Sequence, residues 1–143
     1  MERKFASLKE KIAAEKLERA AKHESFAALY AKANAAGFQA GDTTTPRPMG
    51  IVECDSAGKP IGPAHIEFEG MCGFASVIVR KANSGLGHWL IMTGLARRHY
   101  HGGAEIWIHS HNQSYERKVA HANAMVKLFR DAGHDAFTSS RLD

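Results

Sequence analysis

The polar chemistry of this 143-residue chain gathers in its last third, where Ile106-Trp107-Ile108 runs through His109-Ser110-His111 into Asn112-Gln113-Ser114-Tyr115-Glu116-Arg117-Lys118. An apolar strand feeding a helix leaves unpaired backbone N–H groups and the positive end of a macrodipole beside Ser114, Arg117 and Lys118, which together describe a cradle for an anion such as phosphate. Gln113, Ser114, Arg117, Lys118 and His121 fall in or near the first turn. Ser114, Arg117, Lys118 and His121 also share neighbouring positions of one helix face. Two cations at that end oppose the dipole, at a cost of up to about 1 kcal/mol unless a negative group compensates. Three readings stay open: a bound anion, a plain Ser114 cap with Arg117 and Lys118 solvated, or internal neutralisation by Glu116 or Asp143.

Other constellations carry less. His109 and His111 alternate at a strand end and can present two metal ligands on one side, with Glu105 or His99 as a third. No HExxH accompanies them, so a metal at His109 and His111 is only an alternative, and no cofactor is expected. Asn83-Ser84-Gly85-Leu86-Gly87-His88 lacks the GKS/T ending of a phosphate loop. Cys54 and Cys72 lack CxxC spacing and read as buried small hydrophobes; with no signal-like apolar run, they predict a reduced, cytoplasmic setting and no membrane span. No catalytic residue is assigned, and a binding protein is favoured over an enzyme.

Net charge is +4, and its distribution is more informative than its sum. Residues 1–45 carry eight Lys/Arg against six Asp/Glu, residues 46–79 two against four, and residues 80–143 nine against five. The basic C-terminal part, including Arg80-Lys81, Arg97-Arg98 and Arg117-Lys118, faces either nucleic acid or an acidic protein surface, or is ordinary solubilising charge. Trp107, Tyr100, Phe137 and Trp89 are possible stacking platforms for unpaired bases, but most are expected in the core and no RNP-type aromatic pair is visible. Trp107 stands between two isoleucines of an alternating strand, so either it or its neighbours face outward.

The elements that must position these groups follow from periodicity. Residues 2–22 predict a helix with a thin apolar stripe of Phe5, Leu8 and Ile12. Ser25 predicts the cap of a second stretch through Phe26, Leu29, Tyr30, Ala33 and Ala36, stopped by Gly37. Gly41 to Pro48 reads as a linker. Met49–Glu53 and His65–Glu69 predict a hairpin, with Ile66 and Phe68 on one face. Phe74–Val79 predicts a central strand, Leu86–Ala96 a helix, Arg97–His101 a loop, and Ala104–His109 a strand. Gln113–Ala132 then predicts a helix facing the core with Ala122, Met125, Val126 and Phe129, and Asp135–Thr138 a last strand. The fold class is α+β: an N-terminal helix or helical hairpin (1–40), a linker (41–48), and a small, mostly antiparallel sheet with two helices packed on one face (49–143).

Met71-Cys72-Gly73-Phe74-Ala75-Ser76-Val77, Gly102-Gly103-Ala104-Glu105-Ile106-Trp107-Ile108, the Asn112–Lys118 segment and Ser140-Arg141-Leu142-Asp143 resemble a family of small proteins of tailed bacteriophages and prophages. The resemblance covers roughly residues 26–143 and implies action inside an infected bacterial cell, without implying catalytic residues. The expected role is a non-enzymatic binding protein acting through its basic C-terminal face. Nucleic acid or nucleoprotein leads, contacted by Arg97, Arg98, Gln113, Ser114, Arg117, Lys118, His121 and Arg141. The alternatives are a host-takeover or anti-defence inhibitor that seats Phe5, Leu8 and Ile12 in a groove of a host bacterial protein, and a small virion protein that forms a homo-oligomer through the N-terminal helix.

Overall fold

Alanine, leucine, glutamate and lysine dominate the first 43 residues, and all are strong helix formers that lose little side-chain freedom on folding. In the computed structural model, which describes residues 2–143 and side chains from residue 7 onward, they form one unbroken helix, α1 (Glu2–Thr43). The two predicted stretches are therefore fused into a rod of about 63 Å. Ser25 lies inside it and caps nothing. The predicted stop at Gly37 and the start of the linker at Gly41 are corrected as well, because the helix runs through both and the connecting segment begins at Thr44. Both glycines serve close approach instead: a Cβ on Gly37 would run into the His121 ring, and one on Gly41 into the His111 ring.

Residues 7–25 of α1 are exposed throughout, and burial begins at Phe26. From there Phe26, Leu29, Tyr30 and the fully buried Ala33 pack against the core. The short hairpin of β1 (Met49–Ile51) and β2 (His65–Glu67) pairs Gly50 with Ile66 and forms its own two-stranded sheet. Its apolar side chains Ile51, Ile66 and Phe68 are exposed, so it adds no layer to the core.

The main sheet has four strands: β3 (Gly73–Val79), β4 (Arg97–Arg98), β5 (Ala104–Trp107) and β6 (Ala136–Leu142), in the spatial order β4-β5-β3-β6 with every pair antiparallel. Helix α2 (Gly85–Met92) connects β3 to β4, and α3 (Tyr115–Asp131) connects β5 to β6. The chain thus runs strand, helix, strand, strand, helix, strand, the split β-α-β arrangement. As its apolar run predicts, β3 is interior, flanked by β5 and β6. Arg97 and Arg98 are strand rather than loop, because β4 pairs with β5 through Arg97 opposite Glu105. The terminal Ser139–Leu142 extends β6 alongside the whole of β3, where Phe74 lies opposite Arg141.

Alternation sorts the two sides of this sheet. Ala75, Val77 and Val79 of β3 and Ile106 and Ile108 around β5 enter the core with Leu86, Leu90, Met125, Val126 and Phe129. The stripe Ala122, Met125, Val126 and Phe129 predicted for α3 is buried as expected. Helices α1, α2 and α3 therefore all contribute to one side, leaving Phe74, Ser76, Glu105, Trp107, Ser139 and Arg141 on the other. Cys54 and Cys72 are exposed free thiols, which corrects their reading as buried hydrophobes: Cys54 lies in the hairpin and Cys72 just before β3, both outside the packed layers.

Candidate functional site

The helix terminus expected to cradle an anion is already occupied by the protein. Ser114 caps α3, accepting from the Arg117 backbone N–H at 3.5 Å while its hydroxyl donates to the Glu69 carbonyl at 2.9 Å. Arg117 turns away from the terminus. Its Nε donates to Glu69 Oε2 at 2.7 Å, and its Nη1 donates to the carbonyls of Gly41 at 2.9 Å and Asp42 at 3.0 Å. Those carbonyls belong to the last turn of α1, which has no intrahelical donors left, so the guanidinium closes the end of that helix and favours its negative pole. Glu116 takes no part in neutralising Arg117; it accepts from the Arg47 backbone N–H. Lys118 points elsewhere, buried with its ammonium 5.6 Å from the Phe74 ring centre. Gln113 is exposed, and its carbonyl accepts from the Gly73 N–H. Gln113, Ser114, Arg117, Lys118 and His121 therefore do not converge on a common ligand.

His109 and His111 are also separated. Positive φ values at His111 (69°) and Asn112 (52°) turn the chain off the strand, so the alternation that would align the two rings is broken. His109 is exposed, whereas His111 is drawn inward, its Nε2 at 2.9 Å from Nδ1 of His121 and its Nδ1 at 3.5 Å from Asp42 Oδ1. Among the described residues no cluster of three or more His, Cys, Asp or Glu has metal-binding geometry. The two imidazoles fill the space left by Gly37 and Gly41, with Phe38 edge-on to His121 at 4.9 Å between ring centres. Burial pushes the His121 imidazole down to about 4, helped by the adjacent His111. Burial also lowers His111, although Asp42 pulls the other way. This pair is a packing device of two neutral rings between α1 and α3.

The open side of the sheet gathers a different set. Phe74 and Trp107, on neighbouring strands, have ring centres 5.7 Å apart. The Arg141 guanidinium stands 5.2 Å from the Phe74 ring centre and that of Arg97 5.6 Å from the Trp107 ring centre, distances at which cation–π attraction operates. They line an open cleft of about 430 Å³ with Arg98, Tyr100, Ser139 and Ser140. Its floor is polar and buried: Ser76 donates to Glu105 Oε2 at 2.9 Å, and Arg97 Nε donates to Glu105 Oε1 at 3.2 Å. His99 Nε2 lies 3.9 Å from Glu105 Oε2. Arg98 is tethered at the rim by a bond from Nη1 to Asn83 Oδ1 at 3.0 Å, and Tyr100 is 93% exposed.

Of the predicted contacts, Arg97, Arg98 and Arg141 come together here. Phe74 and Ser76 were not expected in a site, whereas Trp107 was weighed as a stacking platform and Glu105 only as a third metal ligand beside His109 and His111. Phe74 and Trp107 form an aromatic pair across two strands, which no RNP-type motif in the sequence announces. The signal was present in Ile106-Trp107-Ile108: once both isoleucines enter the core, Trp107 must face outward. Of the other aromatics, Trp89 is in the core and Phe137 is half-buried beneath Arg80. At the far end of the molecule Leu8 and Ile12 are exposed on α1, while the Phe5 side chain lies outside the described residues. No helix among the described residues is long and apolar enough to cross a membrane. Comparison with protein-family models, with curated proteins and with solved structures finds no match to this chain.

Proposed function

We propose that the open side of the four-stranded sheet binds single-stranded nucleic acid, with bases stacked on Phe74 and Trp107 and phosphates met by Arg97, Arg98 and Arg141. The observation that carries this reading is the aromatic pair on the uncovered side of the sheet, bracketed by arginines, while the helices lie on the other side. Stacking on an aromatic ring contributes about 1–3 kcal/mol per base and needs unpaired bases, which a duplex does not offer. The buried Glu105 carboxylate repels phosphate from the floor, so the arrangement directs bases inward and the backbone toward the arginine rim. A four-stranded sheet carrying aromatics on its central strands is also the layout of a common RNA-binding module. The resemblance to small phage and prophage proteins supports a setting inside an infected bacterial cell for this activity.

Fluorescence anisotropy with labelled single-stranded octamers tests the reading. The wild-type protein is expected to bind at low salt, and Trp107→Ala to lose about tenfold or more in affinity, as removal of one stacking platform demands. Wild-type affinity in Trp107→Ala would rule out the sheet face.

A second reading has its own observation. Leu8, Ile12 and Leu17 are exposed on the N-terminal part of α1, where every described side chain from residue 7 to residue 25 is exposed, a form suited to insertion in a groove on another protein. A Leu8→Asp, Ile12→Asp variant that still binds nucleic acid but no longer retains a cellular protein in affinity capture would assign the arm to that separate role.

A further inference from the structure

Glu105 is the only carboxylate among the described residues lining the cleft, and it sits at the floor, 7% exposed. Each carboxylate oxygen offers about two acceptor directions. Oε2 uses one for the Ser76 hydroxyl and Oε1 uses one for Arg97 Nε, which leaves one acceptor on each oxygen. The unused pair suits two parallel donors arriving side by side. Glu105 lies two residues before Trp107 on β5, so both side chains face the cleft about 7 Å apart along the strand, and a purine stacked on the indole brings its edge to the carboxylate.

We infer that this cleft selects guanine, with Glu105 accepting from N1–H and the N2 amino group of a base stacked on Trp107. The inference rests on the single-strand binding reading above and specifies its substrate. Guanine presents two adjacent donors on its Watson–Crick edge. Adenine and cytosine each place a ring-nitrogen acceptor beside their amino group, which opposes a carboxylate lone pair. Uracil and thymine offer one N–H flanked by two carbonyls. A guanidinium group from a peptide has the same twin donors, but Arg97, Arg98 and Arg141 surround the site with like charge and disfavour it.

The test uses octamers of uridine carrying one central guanine, adenine, cytosine or inosine, titrated against the full chain by anisotropy at fixed salt. Guanine is expected to bind about tenfold or more tighter than adenine or cytosine, as one bidentate base contact provides, and inosine, which lacks the N2 amino group, to fall between them. In Glu105→Gln the amide directs a donor at a donor, and the guanine-to-adenine ratio is expected to fall to within about twofold. Equal wild-type affinity for the four octamers overturns guanine selection and leaves single-strand binding standing. Binding to none of them overturns both. A guanine preference that survives in folded Glu105→Gln overturns the assignment to Glu105. Should that variant fail to fold, the wild-type inosine result decides: weakening by threefold or more supports the contact to the N2 amino group, and unchanged affinity overturns it.

Discussion

Acidification should loosen the junction of α1 with α3, and the extent follows from the buried histidine pair. His121 is 2% exposed and held at about 4 by burial, whereas an unfolded histidine titrates near 6.5. The folded value lies below the unfolded one, so between these two pH values the unfolded chain binds the additional proton. The stability that His121 contributes is therefore complete above about pH 6.5 and is lost as pH falls toward 4. Between pH 7.5 and pH 5 the loss is about 2 kcal/mol for this group alone, and burial of His111 and His134 adds to it with the same sign. Asp42, on α1, pulls in the opposite direction for both members of the pair; at His111, Glu69, beyond β2, acts with Asp42, and Arg117 and Lys118 on α3 act with burial. Urea unfolding followed by far-ultraviolet circular dichroism at pH 7.5, 6.5, 5.5 and 5.0 measures the slope, with His121→Gln as the comparison. Wild-type stability that is flat across this range, or an equally steep slope in His121→Gln, would refute the reasoning.

Two further outcomes are expected. Gly37→Ala should destabilise the protein by about 1–2 kcal/mol, although alanine in a helix interior ordinarily gains about 1 kcal/mol over glycine, because the new methyl meets the His121 ring; a raised unfolding midpoint would contradict the proposed packing. If Arg97, Arg98 and Arg141 each meet a phosphate, the logarithm of affinity for a single strand should fall against the logarithm of salt with a slope of about −2, and Arg141→Ala should reduce that slope by about 0.7. A slope near zero in the wild-type protein would exclude phosphate contacts.

Much of this molecule is readable from local pattern. The α3 stripe of Ala122, Met125, Val126 and Phe129, the interior β3 and the helical character of the first 43 residues follow from periodicity and propensity, because each depends on residues a few positions apart. The fate of Arg117 is a different matter. Its partners Glu69, Asp42 and Gly41 lie 48, 75 and 76 positions away, and no local rule connects them. Gly37 and Gly41 show the same limit. A glycine in a helical run reads as a stop when its neighbours in space are unknown, and here each makes room for an imidazole from α3 or the loop before it. By itself the sequence determined most of the elements, β4 and the fusion of the two N-terminal stretches excepted, and the alternation that puts Trp107 opposite in sense to Ile106 and Ile108. Only tertiary structure decided which charges are spent on holding α1 and which gather beside Phe74 and Trp107, since pairing a charge depends on distances across the fold that periodicity does not encode.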